Sequence, residues 1–113
     1  MKDCLFCKFV SGELQTAKVY EDENMIIIRD IEPKAKNHFL MIPKEHYRLL
    51  EDMTDEQAEK FLKCVRKLKE LKKELELDDG FRIVINQGEN GGQTIPHVHD
   101  HILSGEKLRW EKN

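Results

Sequence analysis

Histidine recurs at alternate positions in His97-Val98-His99-Asp100-His101-Ile102-Leu103, and this alternation limits what the chain can become. In an extended strand, side chains at i, i+2 and i+4 leave one face and those between leave the other. His97, His99 and His101 then form a row of imidazoles at steps of roughly 6.6 to 7 Å. Val98 and Ile102 lie on the opposite, apolar face. Just upstream, Phe81 to Ile85 reads as another strand, and Gly88, Gly91 and Gly92 mark a tight loop between the two.

An ordinary polar strand face accounts for one histidine, but not for three in alternation opposite Val98 and Ile102. The glycines upstream have a chemical use of their own. Successive backbone N–H groups freed by glycine conformations make a concave anion site, and only glycine lets a phosphate come so near the main chain. A neutral imidazole is a good nucleophile toward phosphorus near neutral pH, because its pKa lies close to ambient. A phosphate cradle beside an imidazole row predicts phosphorus chemistry with a histidine nucleophile. His99, flanked on both sides, is the natural attacker.

The 113 residues and 13.4 kDa suit a single domain, 1–113, with one core. Charged residues reach 36% against 39% hydrophobic, yet the apolar residues fall in periodic blocks, which excludes a disordered chain. A net charge of -3 argues against a nucleic-acid-coating surface. No apolar run approaches the ~18 to 20 residues that span a bilayer, and no signal-peptide core opens the chain. A cytoplasmic protein with no nucleic-acid or membrane partner is expected.

Taken in order, Leu5, Phe6, Phe9 and Val10 predict a short N-terminal helix over the site. Lys18 to Glu21 and Met25 to Asp30 predict a hairpin about Asp22-Glu23-Asn24, and the run Ile26-Ile27-Ile28 places its second strand centrally. Pro33 to Asn37 reads as a loop and His38 to Pro43 as a third strand, with His46 just past its end. Thr54-Asp55-Glu56-Gln57 is a capping box with acids in the first turn. Ala58, Phe61, Leu62, Val65, Leu68 and Leu75 then recur at helical spacing until Gly80, which predicts one long helix. Its lysines are interleaved with Glu59, Glu70, Glu74 and Glu76, as on a solvated face. Strands, one long helix and two more strands predict an α+β fold with an antiparallel sheet.

Three cysteines exclude a closed disulfide framework. Cys64 reads as a packed thiol on the helix. A redox role for Cys4-x-x-Cys7 would want a strand before it, and none precedes it. A structural zinc site is preferred if two further ligands exist, with His38, His46 and His97 as candidates.

Gly91-Gly92-Gln93-Thr94-Ile95-Pro96 followed by His97-Val98-His99-Asp100-His101-Ile102-Leu103 resembles the signature of the histidine-triad (HIT) family of nucleotide hydrolases and transferases, His-φ-His-φ-His-φ-φ with φ apolar. Asp100 departs from it, standing where an apolar residue is expected. Cys4 to Lys8, Tyr20 to Glu23, Arg29 to Pro33 and Leu40 to His46 resemble further blocks of the family in family order. The resemblance implies a five-stranded antiparallel sheet and a two-fold homodimer joined through the long helices and neighbouring strands.

It also implies roles. His99 would carry a nucleotidyl intermediate, and His101 would bond the phosphoryl oxygens or protonate the leaving group. Asn86, Gly92 and Thr94 would stabilise developing charge, with Gln93 helping toward the leaving group. Asp30 would accept from the ribose hydroxyls, and Leu5, Phe6, Ile28 and Ile31 would wall a purine, adenosine above all. His46 and His97 would either support the catalytic imidazoles or, with Cys4 and Cys7, complete a structural zinc site; the cysteine pair favours zinc. No organic cofactor is expected, and His38 reads as a surface histidine.

The tail Leu108-Arg109-Trp110 resembles the histidine-triad nucleotide-binding branch, whose C-terminal tryptophan approaches the dimer's active site. That branch hydrolyses purine nucleoside 5′-phosphoramidates to the monophosphate and an amine. The alternatives are a dinucleoside polyphosphate hydrolase of the same family and a non-catalytic nucleotide- or zinc-binding interaction module.

Overall fold

Two apolar stretches decide the centre of the structure, a computed structural model that describes residues 3–110. β2 (Met25–Arg29) and β3 (Asn37–Pro43) pair antiparallel, and their side chains are buried on both faces from Met25 to Ile28 and from Asn37 to Pro43. Strands covered on both sides read as continuous apolar runs, which is why the three isoleucines stand together. Each large aliphatic or aromatic side chain so buried stabilises the fold by about 1.5–3 kcal/mol.

β1 (Lys18–Glu21) flanks β2, and β5 (Asp100–Ser104) flanks β3, with β4 (Arg82–Val84) outermost. The order is β1-β2-β3-β5-β4 and every pairing is antiparallel. This is the α+β, five-stranded antiparallel sheet expected from the sequence.

One face of the sheet, carrying Met25, Ile27, Phe39, Met41, Val98 and Ile102, packs on α2 (Asp55–Arg66) and the turns after it. The other, carrying Ile26, Ile28, Leu40 and Ile42, packs on the short helix α1 (Leu5–Ser11) through Phe6. The functional face is the α1 side.

The long helix is realised in pieces. Thr54 caps α2 as the sequence predicts, with its hydroxyl accepting Gln57 N–H and the Gln57 side chain returning to Thr54 N–H. After Arg66 the path tightens into a 3-10 turn, Lys67–Glu70, and the run ends before Gly80. Glu76 adopts φ 57°, and Leu77 N–H donates to Lys72 O at 2.7 Å, the six-to-one bond that closes a helical C-terminus. No proline or glycine causes the change. Turning at Glu76 brings both Leu75 and Leu77 into the core, which a straight helix would not do.

The triad segment also differs from the single strand predicted for it. His97 lies in a bend, with its N–H on Ile95 O at 2.8 Å, and His99 lies just before β5, so only His101 is in a paired strand. Pro96 cannot donate to a sheet ladder, and the chain reaches β3 only from Asp100 onward. Asp100 sits opposite Met41 with no exposed surface, so the face it shares with Val98 and Ile102 is wholly buried.

Candidate active site

Hydrogen bonds to main-chain groups, whose donor or acceptor character is fixed, assign the tautomer of each imidazole. His97 Nε2–H donates to Pro43 O at 2.8 Å, which leaves the Nδ1 lone pair free. His99 Nδ1–H donates to His97 O at 2.7 Å, which leaves its Nε2 lone pair free. Lys34 N–H donates to His38 Nδ1 at 3.0 Å, so the proton of His38 is on Nε2. His38 Nε2–H then donates to His101 Nδ1 at 2.9 Å, and His101 carries its own proton on Nε2.

Burial keeps these rings neutral. It holds His97 down at about 4, and it holds His101 at about 4 with help from His99 and His38. Burial also lowers His99, against the opposing pull of the His97 carbonyl and Asp30, and it lowers His38 against Asp30. Neutral imidazoles are what a nucleophile and a hydrogen-bond relay require.

His38 is not a surface histidine. It is 3% exposed, paired with Leu103 across β3 and β5, and points into the same cleft as His99 and His101. Asp30 Oδ2 lies 3.4 Å from His38 Nε2 and its Oδ1 accepts Glu32 N–H at 2.8 Å. With His38 neutral and its Nε2–H given to His101, this contact is a close approach rather than an ion pair. Asp30, His38 and His101 converge closely enough to ligate a cation, but the Lys34 bond keeps the His38 proton on the nitrogen a metal would need. The three lie in one line of contacts, with His38 fixing the tautomer of His101.

The cleft measures about 500 Å³ and is lined by Leu5, Phe6, Asp30, Ile31, Asn86, Gly92, Thr94, His99 and His101 from the sequence expectation. Leu40, Val84, Ile95, Leu103, Glu32 and Lys34 join them without having been foreseen. Leu40 and His38 share a face of β3, and Val84 sits opposite His101, so strand register alone would have found them.

Three expected residues lie elsewhere. Ile28 is buried beneath the cleft in the α1-side core. Gln93 is consumed by its own loop: its Oε1 accepts Gly88 N–H at 2.8 Å, and its Nε2 donates to Arg48 O at 2.8 Å and Ile95 O at 3.2 Å. Trp110 is 96% exposed and lines no part of its own chain's cleft, whereas the resemblance implies an approach to the dimer's active site.

Cys4, Cys7, His46 and His97 form a second cluster on the far side of His97. His97 Nδ1 lies 3.3 Å from Cys4 Sγ, 3.5 Å from Cys7 Sγ and 3.2 Å from His46 Nδ1. Cys7 Sγ lies 3.2 Å from His46 Nδ1. Tetrahedral zinc bonds of 2.0–2.3 Å would set ligand-to-ligand edges of about 3.3–3.8 Å. Small outward shifts would therefore admit an ion. Cys7 N–H points at Cys4 Sγ at 3.4 Å. Burial and Cys4 push the Cys7 thiol up to about 11, so thiolate character there calls for a cation among the four.

The HIT domain family model matches residues 11–108. The chain belongs to the HIT domain family. Protein HitA of Neisseria gonorrhoeae is 40% identical over 103 residues, which cover 91% of this chain and 96% of that protein. An uncharacterized HIT-like protein of Methanocaldococcus jannaschii is 43% identical over 100 residues, covering 88% of this chain and 77% of the other. The crystal structure of a HIT family hydrolase from Legionella pneumophila superposes with a TM-score of 0.91 at 37% identity, covering 98% of this chain and all of that one. The matched residues include the histidines of both the cleft and the cysteine cluster, while Cys4, Leu5, Phe6 and Cys7 precede them. Among the described residues no helix is long and apolar enough to cross a membrane.

Proposed function

We propose that this HIT protein hydrolyses purine nucleoside 5′-phosphoramidates, adenosine preferred, through a covalent nucleotidyl-histidine. One observation carries the reading: His99 has its Nδ1 proton locked on His97 O and a bare Nε2 in a cleft that also holds Asn86, Gly92 and Thr94. A ring so fixed has a single direction of attack.

The purine lies between Leu5, Phe6 and Ile31, and the ribose hydroxyls reach Asp30. Asn86, Thr94 and the main chain at Gly92 take the phosphoryl oxygens. His99 Nε2 forms a bond to the α-phosphorus as the P–N bond breaks, and His101 Nε2–H passes its proton to the departing nitrogen. His38 Nε2–H holds His101 Nδ1 throughout, which keeps the His101 proton on the nitrogen that faces the cleft. Water then attacks the phosphorus, its proton returns to His101, and the monophosphate leaves with His99 restored.

Cys4, Cys7, His46 and His97 hold one structural zinc, which ties α1 to the triad segment and takes no part in the phosphate chemistry. The protein works as a cytoplasmic two-fold dimer. Leu62 on α2 is 55% exposed, and Phe81 and Ile83 at the β4 edge are 36% and 38% exposed, which supplies apolar surface for such a contact.

The test is release of AMP from an adenosine phosphoramidate. His99→Ala is expected to abolish turnover while retaining AMP binding. Unchanged slow turnover in that variant would mean a binding module, and turnover of dinucleoside polyphosphates alone would move the protein to the other branch of the family.

A further inference from the structure

We infer that Phe6 and His97 join the cysteine cluster to the nucleophile, so that a metal ion and a nucleotide each bind more tightly when the other is present. The inference rests on the nucleotide reading of the cleft and adds a means of controlling it.

His97 faces both ways. Its ring presents Nδ1 to Cys4, Cys7 and His46, while its carbonyl oxygen accepts the proton that fixes His99. Its Nε2–H is tied to Pro43 O and its backbone N–H to Ile95 O, so the residue cannot turn at one end without moving at the other. Ile95 itself lines the cleft.

Phe6 is the second link. It sits on α1 between the two cysteines and is 3% exposed. Its ring meets His99 edge to face at 4.9 Å and 85°, and His97 at 5.9 Å and 76°. The same ring forms part of the cleft wall. α1 has seven residues and is capped by the Cys4 sulfur. A helix so short is unstable by itself and takes its position from the core under Phe6 together with what its N-terminal cysteines hold. A cation drawing Cys4 and Cys7 onto His46 and His97 therefore seats Phe6 against His99. A nucleotide resting on Phe6 seats the cysteines in return.

Binding free energies at two sites couple reciprocally, so each ligand must raise the other's affinity by the same factor. A coupling of ordinary size corresponds to a factor of about 5 to 150. A merely structural metal would be indifferent to the nucleotide.

The experiment uses the full chain. Zn²⁺ affinity is measured by competition with a chromophoric chelator, with and without saturating AMP, and AMP affinity by calorimetry on zinc-loaded and stripped protein. The two factors are expected to agree. In Phe6→Leu, which keeps an apolar filler but loses the ring edge, the factor is expected to fall toward one while zinc affinity without AMP stays within about twofold. AMP binding with a zinc affinity that ignores it overturns this inference and leaves the nucleotide reading intact. Coupling undiminished in Phe6→Leu also overturns it, since the link would then run through folding as a whole. AMP binding in neither form overturns the nucleotide reading and this inference together.

Discussion

His38 Nε2 lies 2.9 Å from His101 Nδ1, and this contact decides which nitrogen of His101 carries a proton into the cleft. Replacing His38 by leucine removes the donor and lets His101 change tautomer. The kcat of phosphoramidate hydrolysis is expected to fall roughly 100-fold, the scale of one general acid–base contribution, with little change in AMP affinity. His38→Gln, whose amide can still donate, is expected to recover part of the loss. Equal damage to affinity and kcat in both variants would reduce His38 to a packing residue.

Gln93 makes three hydrogen bonds to the main chain of its own loop and of Arg48. Gln93→Ala leaves those partners to water or to nothing. Unfolding free energy from urea titration is expected to drop by about 1–3 kcal/mol. A leaving-group role would instead slow turnover at unchanged stability.

Asp100 has no exposed surface and neither of its oxygens finds a partner among the described residues. Burial pushes its carboxyl from the ordinary 3.8 up to about 8. Between those values the folded state holds a proton that the unfolded chain releases, so stability is lost as pH rises from about 4 to 8. Asp100→Asn removes this penalty. The variant is expected to gain on the wild type across that window, with the gain at pH 8 exceeding that at pH 5 by more than about 1 kcal/mol. The same gain at both values would mean that the carboxylate is paired in solution.

Glu76 occupies the left-handed region at φ 57°, where a side chain costs about 1–2 kcal/mol. Glycine has no such penalty but gives up more freedom on folding. Glu76→Gly is expected to raise stability by about 0.5–1 kcal/mol, read from the urea midpoint. A loss of stability would show that the Glu76 side chain holds the turn by a contact of its own.

What the sequence disclosed follows from where each force acts. β2 and β3 were legible because a strand covered on both faces must be apolar throughout, and Ile26-Ile27-Ile28 says so locally. Thr54 and Gln57 announced a helix start by chemistry confined to four residues. His38 was opaque because its burial and its partner come from the register of β3 on β5, 63 residues apart along the chain. The alternation from His97 to His101 reported an extended backbone faithfully, but extension is not pairing, and the bend at Ile95 to His97 leaves no mark in polarity. The end of the helical run at Glu76 was hidden likewise, because Leu77 is drawn inward by core residues distant in sequence.

β3 has a further consequence as a spacer. It carries His38 near one end, and His46 follows three residues beyond the other. Every side chain between Asn37 and Pro43 is locked on both sides. Inserting or deleting one residue there would turn each following side chain to the opposite face. The His38–His101 contact and the approach of His46 to Cys7 and His97 would then lose their alignment at a stroke.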